Sequence, residues 1–362
     1  MRKWLAGFLA VMMILLLCSC DGTQENPETS VQTETVEVVV PTTTEQMDSG
    51  GTTEAVTEGE VLLSVSAITF SLVGDSEDIY IGSADREEVT WGTEDPAVAT
   101  FEQGILTVHS VGSTIVTARL GDQSVSCTVT CLAETEESLL QLDEEILRAP
   151  MRYPTVLENP PLEFFDDAVI IGDSISYILF QYETMHGILG NPAFLVRGGT
   201  GLNGLVRRYY NISYQGKEMF IEDAVAATGT KKVFIMLGQN DLRYRTLEDT
   251  MSSWDPLIER ILEKSPDAEI YIQSCIYEWY PTGHDNSVND KIDAFNQQLM
   301  AYAQDHGYHY VNIQQYVEDH TRRMATEYSM DQSIHLNEAG CIAWMHALNL
   351  YAYQQTIGGN EP

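Results

Sequence analysis

The chain has 362 residues, with 54 Asp and Glu against 19 Lys and Arg, a formal net charge of -35 and 44% hydrophobic residues. That length admits two or three domains. So large an acid excess argues against nucleic acid and anionic lipid surfaces as partners, because phosphate recognition needs clustered Lys and Arg; it suits solubility outside a cell.

At the amino end Arg2 and Lys3 precede an apolar run from Leu5 to Leu17, followed by Cys18-Ser19-Cys20. A positive flank, a short apolar segment and small residues at the cut describe a secretory signal over residues 1–20, and the run is short for a membrane span. Leu17-Cys18-Ser19-Cys20 resembles the bacterial lipobox. That resemblance implies a diacylglyceryl group on Cys20, an anchor of two acyl chains, and a place on the extracellular face of a bacterial membrane. Cleavage with release into the medium is the alternative. Residues 21–60 are rich in Thr, Glu and Val and hold no Lys or Arg; such a segment buries too little apolar surface to offset its entropy and reads as a disordered tether.

Between residues 61 and 132 short strand-like runs alternate with turn signals: AITFSLV, DIYI, VTWGT, ILTV, STIVTARL and SVSCTVTC. The period of two and the Gly and Asp punctuation predict a small β-sandwich. Trp91, the Asp95-Pro96-Ala97-Val98-Ala99 turn and the Gly-punctuated hairpin after it resemble the bacterial Ig-like domain, group 2. The resemblance implies a spacer or adhesive module. Cys127 and Cys131 lie four apart in a strand-like run, so their Cα atoms would stand roughly 13 Å apart, too far for a disulfide. With Cys275 and Cys341 they read as small core residues.

Residues 133–150 read as one linker helix, with Leu139, Leu140, Leu142, Ile146 and Leu147 on one side and Pro150 and Pro154 ending it. From 151 to 362, apolar strands (168–171, 194–196, 232–237, 269–273, 309–312) alternate with helical patterns (176–185, 202–210, 247–264, 288–306, 338–353). This alternation predicts a parallel sheet covered on both faces.

Four segments at element ends carry chemistry. Val169 to Ser176 reads VIIGDSIS, a buried strand cut off at Gly172-Asp173-Ser174; a helix starting there sets a serine hydroxyl beside helix N-terminal amides at the carboxyl edge of the sheet. Arg197 to Asn203 (RGGTGLN) follows a strand, with glycines that let backbone N–H groups converge. Met236 to Asp241 (MLGQND) brings the Asn240 amide to the same edge. In Asp331 to Gly340 (DQSIHLNEAG), His335 stands just before Asn337, a helix N-cap candidate. Acyl transfer from an ester needs a hydroxyl nucleophile with a base in reach and preset donors for the carbonyl oxygen. Ser174 and His335 fit the first two roles; the Ser174 and Gly201 amides and the Asn240 side chain fit the third.

In this order the four blocks resemble the SGNH (GDSL-type) hydrolase family, which implies a three-layer α/β/α flavodoxin-like fold, no metal and no cofactor. Carried over, Ser174 is the nucleophile, Gly201 and Asn240 complete the oxyanion hole, and His335 is the general base. Gly201 fits the second block best; Gly198 and Gly199 are the other candidates. The chain departs from the family at its last block, Asp-x-x-His: Gln332 stands three before His335 and Asp331 four before. Either Asp331 reaches Nδ1 through a loop one residue longer, or a backbone carbonyl orients the ring. Tyr277, Trp279 and Tyr280 form either a sugar-facing wall or ordinary packing, and Arg197 either meets an acidic substrate group or sits in a surface ion pair.

The reading that follows is a surface-anchored serine esterase acting on O-acyl, foremost O-acetyl, esters of a small molecule or polysaccharide. An O-acyltransferase with the same residues is one alternative. A non-catalytic adhesin on a degenerate hydrolase scaffold is another, favoured only by the shifted Asp331. The sequence does not define an oligomeric state.

Overall fold

Five apolar runs form the C-terminal sheet: β1 (Ala168–Gly172), β2 (Ala193–Val196), β3 (Lys232–Met236), β4 (Glu269–Gln273) and β5 (His309–Val311). The computed structural model describes residues 61–358 apart from 80, 83–88, 103–104 and 282. The sheet order is β2-β1-β3-β4-β5 and every pairing is parallel, the doubly wound order in which ligands bind beyond the carboxyl ends of the strands. Near-continuous burial of β1, β3 and β4 follows from helices on both faces. On one face, α1 (Ser174–His186) and α5 (Glu338–Gly358) pack Ile175, Leu179, Trp344 and Leu348 against Ile170, Phe234 and Tyr271. On the other, α2 (Ile221–Thr228), α3 (Trp254–Lys264) and α4 (Ser287–His306) cover Val169, Ile171, Val233 and Ile235.

Upstream, residues 61–133 are strand-rich. One five-stranded sheet runs 152–154, 65–72, 123–133, 112–120, 90–93, and a three-stranded sheet runs 76–78, 105–108, 99–102. Gly112–Leu120 buries alternate residues, Thr114, Val116 and Ala118, as a half-covered strand must. The inner faces share a core of Ile68, Phe70, Leu106, Val116 and Val129, and Trp91 of the larger sheet stacks on Phe101 of the smaller at 3.7 Å between ring centroids. Cys127, Cys131, Cys275 and Cys341 are free and buried.

The junction differs from its sequence expectation. In place of one helix over 133–150 there are two short ones, Glu136–Leu139 and Glu144–Leu147. Thr135 caps the first through the Ser138 amide, and Asp143 stands at the N-cap of the second. No continuous apolar face is buried to hold one helix together: Leu140 and Ile146 are exposed, Leu139 and Leu142 are half-buried, and only Leu147 is fully buried. The junction is also not a free linker. Residues 152–154 pair antiparallel with Val65, Ala67 and Ile68, and Arg148, 3% exposed, meets Asp319 at 2.9 Å and donates to the Tyr280 carbonyl at 2.8 Å. The strand-rich segment and the parallel sheet therefore belong to one compact unit.

Smaller departures occur as well. Residues 247–264 break at Ser252-Ser253 into Leu247–Met251 and α3, and the helix expected over 202–210 stops at Val206. The hairpin 212–214/217–219 and helix α2 were not expected from the pattern. The signal over 1–20, the lipidation site Cys20 and the tether over 21–60 lie outside the described residues. Among the described residues no helix is long and apolar enough to cross a membrane.

Candidate active site

Strand β1 ends at Gly172, and Asp173 is the N-cap of α1; its Oδ1 accepts from the Ile175 amide at 2.9 Å. Ser174 is thus the first residue of the helix, half-buried, with an amide that has no partner inside the helix. Its Oγ lies 3.1 Å from His335 Nε2. His335 Nδ1 lies 2.6 Å from Asp331 Oδ2. Serine, imidazole and carboxylate therefore form a continuous relay across 161 positions of sequence.

The extra residue before His335 is accommodated by backbone geometry. Gln332 takes a left-handed conformation, φ 52°. Asp331 Oδ1 then accepts from the amides of Ser333 at 2.9 Å and His335 at 3.2 Å, an Asx-type turn that leaves Oδ2 for the ring. Burial alone would push the Asp331 carboxyl up. The hydrogen bonds from the His335 ring and from the His335 and Ser333 amides outweigh it and hold it below its usual range. The loop is braced on both sides: Met330 N–H donates to His335 O at 2.9 Å, Trp279 N–H to Ser333 O at 2.6 Å, and Asn337 Oδ1 accepts from Gly340 N at 3.1 Å at the start of α5.

The donor side is assembled by two carboxylates that sequence reasoning passed over. Asn240 Nδ2 donates to Asp173 Oδ2 at 2.9 Å and to the Thr200 carbonyl at 3.1 Å, tying three of the four motif loops together through one side chain. Both Asn240 donors are thus engaged within the protein, and an oxyanion would have to share or replace one of these contacts. Asp241 accepts from Leu202 N at 2.6 Å and Asn203 N at 3.0 Å, capping the short helix Leu202–Val206 that begins after Gly201. A side chain at 201 would start 2.8 Å from Asp241 Oδ2, so glycine is required there by close approach. Gly201 N–H donates to no group among the described residues. Gly238 makes the preceding turn possible, with φ +115° and the Phe295 ring filling the space an added Cβ would need. The signal for Asp173 and Asp241 was present, since each adjoins a motif residue, but their partners are set only by the tertiary fold.

Asp173 is buried, and that burial pushes its carboxyl up to about 6, against the opposing effects of the Ile175 amide and the nearby His335. Burial likewise raises Asp241 against the Asn203 and Leu202 amides. The aromatic group divides. Tyr277 is buried and donates to Asp293, which makes it packing and not a substrate wall. Trp279 and Tyr280 are half-buried, one bonded through Nε1 to Thr326 Oγ1 at 3.1 Å and the other to Glu278. Arg197 is exposed, with its guanidinium over the Tyr210 ring at 4.7 Å and no ion pair among the described residues.

Residues 170–341 match the model of the GDSL-like Lipase/Acylhydrolase family, and this stretch is a GDSL-type acylhydrolase domain. Solved structures similar to the chain include a GDSL-like lipase from Bacteroides thetaiotaomicron, at 17% identity over 55% of this chain and 92% of that one, TM-score 0.41. A member of the lipolytic G-D-S-L family from Veillonella parvula is similar at 17% identity over 50% and 94%, TM-score 0.36. A carbohydrate esterase family 3 protein from Talaromyces cellulolyticus is similar at 14% identity over 54% and 100%, TM-score 0.38. No curated protein matches the sequence.

Proposed function

We propose that the chain is a serine esterase that cleaves O-acyl, foremost O-acetyl, esters, with Ser174 as nucleophile, His335 as general base and Asp331 as the carboxylate that orients it. One observation carries the reading: the His335 ring bridges Ser174 Oγ at 3.1 Å and Asp331 Oδ2 at 2.6 Å. Nε2 takes the hydroxyl proton as Oγ attacks the ester carbon. The Ser174 and Gly201 amides and the Asn240 amide meet the oxyanion. The imidazolium returns its proton to the departing alkoxide, leaving an acyl-serine. Water, deprotonated by the same nitrogen, then releases the acid and restores the serine.

Asp331 stands in contact with the ring despite its one-residue offset, so the feature that favoured a non-catalytic adhesin no longer supports it. The placement outside the cell rests on the residues of the amino-terminal signal and on Cys20 as a lipidated anchor. A spacer role for residues 61–132 rests on their resemblance to bacterial Ig-like domains. A carbohydrate ester as substrate rests on that proposed surface placement and on the half-buried aromatic side chains of Trp279 and Tyr280.

A fluorophosphonate probe tests the reading. The wild type is labelled and Ser174→Ala is not, and an acetate-release screen over acetylated polysaccharides then identifies the acceptor. A folded wild type that takes no label at neutral pH and releases no acid from activated esters refutes it.

A further inference from the structure

We propose that Arg197 selects esters bearing an anionic group, a carboxylate or a phosphate, near the scissile bond; this deepens the esterase reading above and rests on it. Arg197 follows β2, and its backbone is fixed to the site. Its amide donates to the Gly172 carbonyl at 3.2 Å, two residues before Ser174, and its carbonyl accepts from Thr200 N at 3.3 Å. The next residue is Gly198, where an added Cβ would lie 4.0 Å from Ser174 Cβ. The root of the Arg197 side chain is thus set at the rim of the nucleophile, on the loop that carries the Gly201 amide.

The guanidinium is arranged in advance. It lies over the Tyr210 ring at 4.7 Å, and Tyr210 is half-buried against the core of its own face of the sheet. That contact holds the cation in place, its N–H groups make no hydrogen bond or ion pair among the described residues, and a guanidinium matches a carboxylate or phosphate with two parallel donors.

Several other guanidiniums of the domain are already taken. Arg208 meets Glu222 at 2.6 Å, Arg243 meets Glu278 at 2.7 Å, and Arg245 stands 3.9 Å from Asp241. Arg197 has no described carboxylate within ion-pair distance, in a chain that carries 54 acidic residues against 19 basic ones. The overall negative field repels anions at long range. An anionic substrate is therefore recognised by a local, short-range contact, and Arg197, rooted on the loop that adjoins the nucleophile, is the residue to which that contact falls.

The test compares kcat/KM on paired acetyl esters: neutral 4-nitrophenyl acetate, carboxylate-bearing 4-acetoxybenzoate and phosphate-bearing 4-acetoxyphenyl phosphate. For the wild type, Arg197→Ala and Arg197→Lys, the readout is the ratio of anionic to neutral turnover, so that leaving-group differences cancel between variants. Arg197→Ala is expected to lower that ratio about tenfold, mainly through KM, the size of one charge-assisted contact at an exposed rim. Arg197→Lys should recover part of it. The two anionic esters distinguish carboxylate from phosphate as the recognised group. A ratio unchanged in Arg197→Ala for both anionic esters overturns the inference while the esterase reading stands. A wild type that turns over none of the three overturns the esterase reading, and the inference with it.

Discussion

Replacing Asp331 by Asn tests whether the shifted carboxylate serves the imidazole. The Asp331–His335 contact is 2.6 Å, with 35% of the Asp331 and 25% of the His335 side chain exposed. In a Ser-His-Asp enzyme with a buried Asp, the Asn variant loses about 10⁴ in kcat, about 5.4 kcal/mol of barrier. Here water reaches both groups and can replace part of the lost interaction, so a loss of about 10² to 10³ is expected, about 3 to 4 kcal/mol. The carboxamide introduced by Asp331→Asn would keep its carbonyl on the Ser333 and His335 amides, preserving the turn, and would point an N–H donor toward Nδ1. That stabilises the tautomer with its proton on Nε2, which cannot accept the proton of Ser174. Asp331→Ala should therefore lose no more activity than Asp331→Asn, although it removes the turn contacts as well. The assay is kcat/KM on 4-nitrophenyl acetate beside a thermal melt of each variant. A fivefold or smaller loss in a folded Asp331→Asn protein would show that something other than Asp331 orients the ring.

Three further outcomes follow from the geometry. Asn240→Ala should lower turnover about 10² to 10³-fold if its amide serves the oxyanion; less than a tenfold loss in kcat would assign Asn240 to holding Asp173 and Thr200 alone. Arg148→Ala leaves Asp319 buried and unpaired and should cost about 3 to 5 kcal/mol of stability, read by denaturant unfolding; a cost under about 1 kcal/mol refutes the account of the junction. Asp173 keeps its proton up to about 6 when folded and releases it near its ordinary 3.8 when unfolded, so its contribution is fully present below that lower value. It is lost as pH rises to about 6, by about 3 kcal/mol at most. Asp173→Asn should thus gain stability relative to wild type between pH 4 and 7, and parallel melting curves across that range would contradict it.

The parallel sheet was legible because each of its strands is an apolar run between turn residues, and all five appear within a residue or two of expectation. Helix α2 escaped because IEDAVAAT is short and carries two acids in its first turn, too few residues to show a period. The single linker helix does not form because, of the five apolar residues spaced for it, only Leu147 is fully buried. Ser174, Gly201, Asn240 and His335 stood out as motif residues at element ends. Whether Asp331 reaches the ring was undecidable from spacing, since the answer depends on the left-handed Gln332. Asp173, Asp241 and Arg148 act through partners up to 178 positions away, and no local pattern announces such pairs.

The short ribbon at 152–154, laid along the edge of strand 65–72, has a consequence for how the chain is made. The first sheet cannot be completed while its own residues emerge from the ribosome, because its edge strand arrives only after the junction has passed. Arg148 waits longer still, until Asp319 has been delivered. A nascent chain stalled before residue 152 would therefore expose an unfinished β-edge to its neighbours.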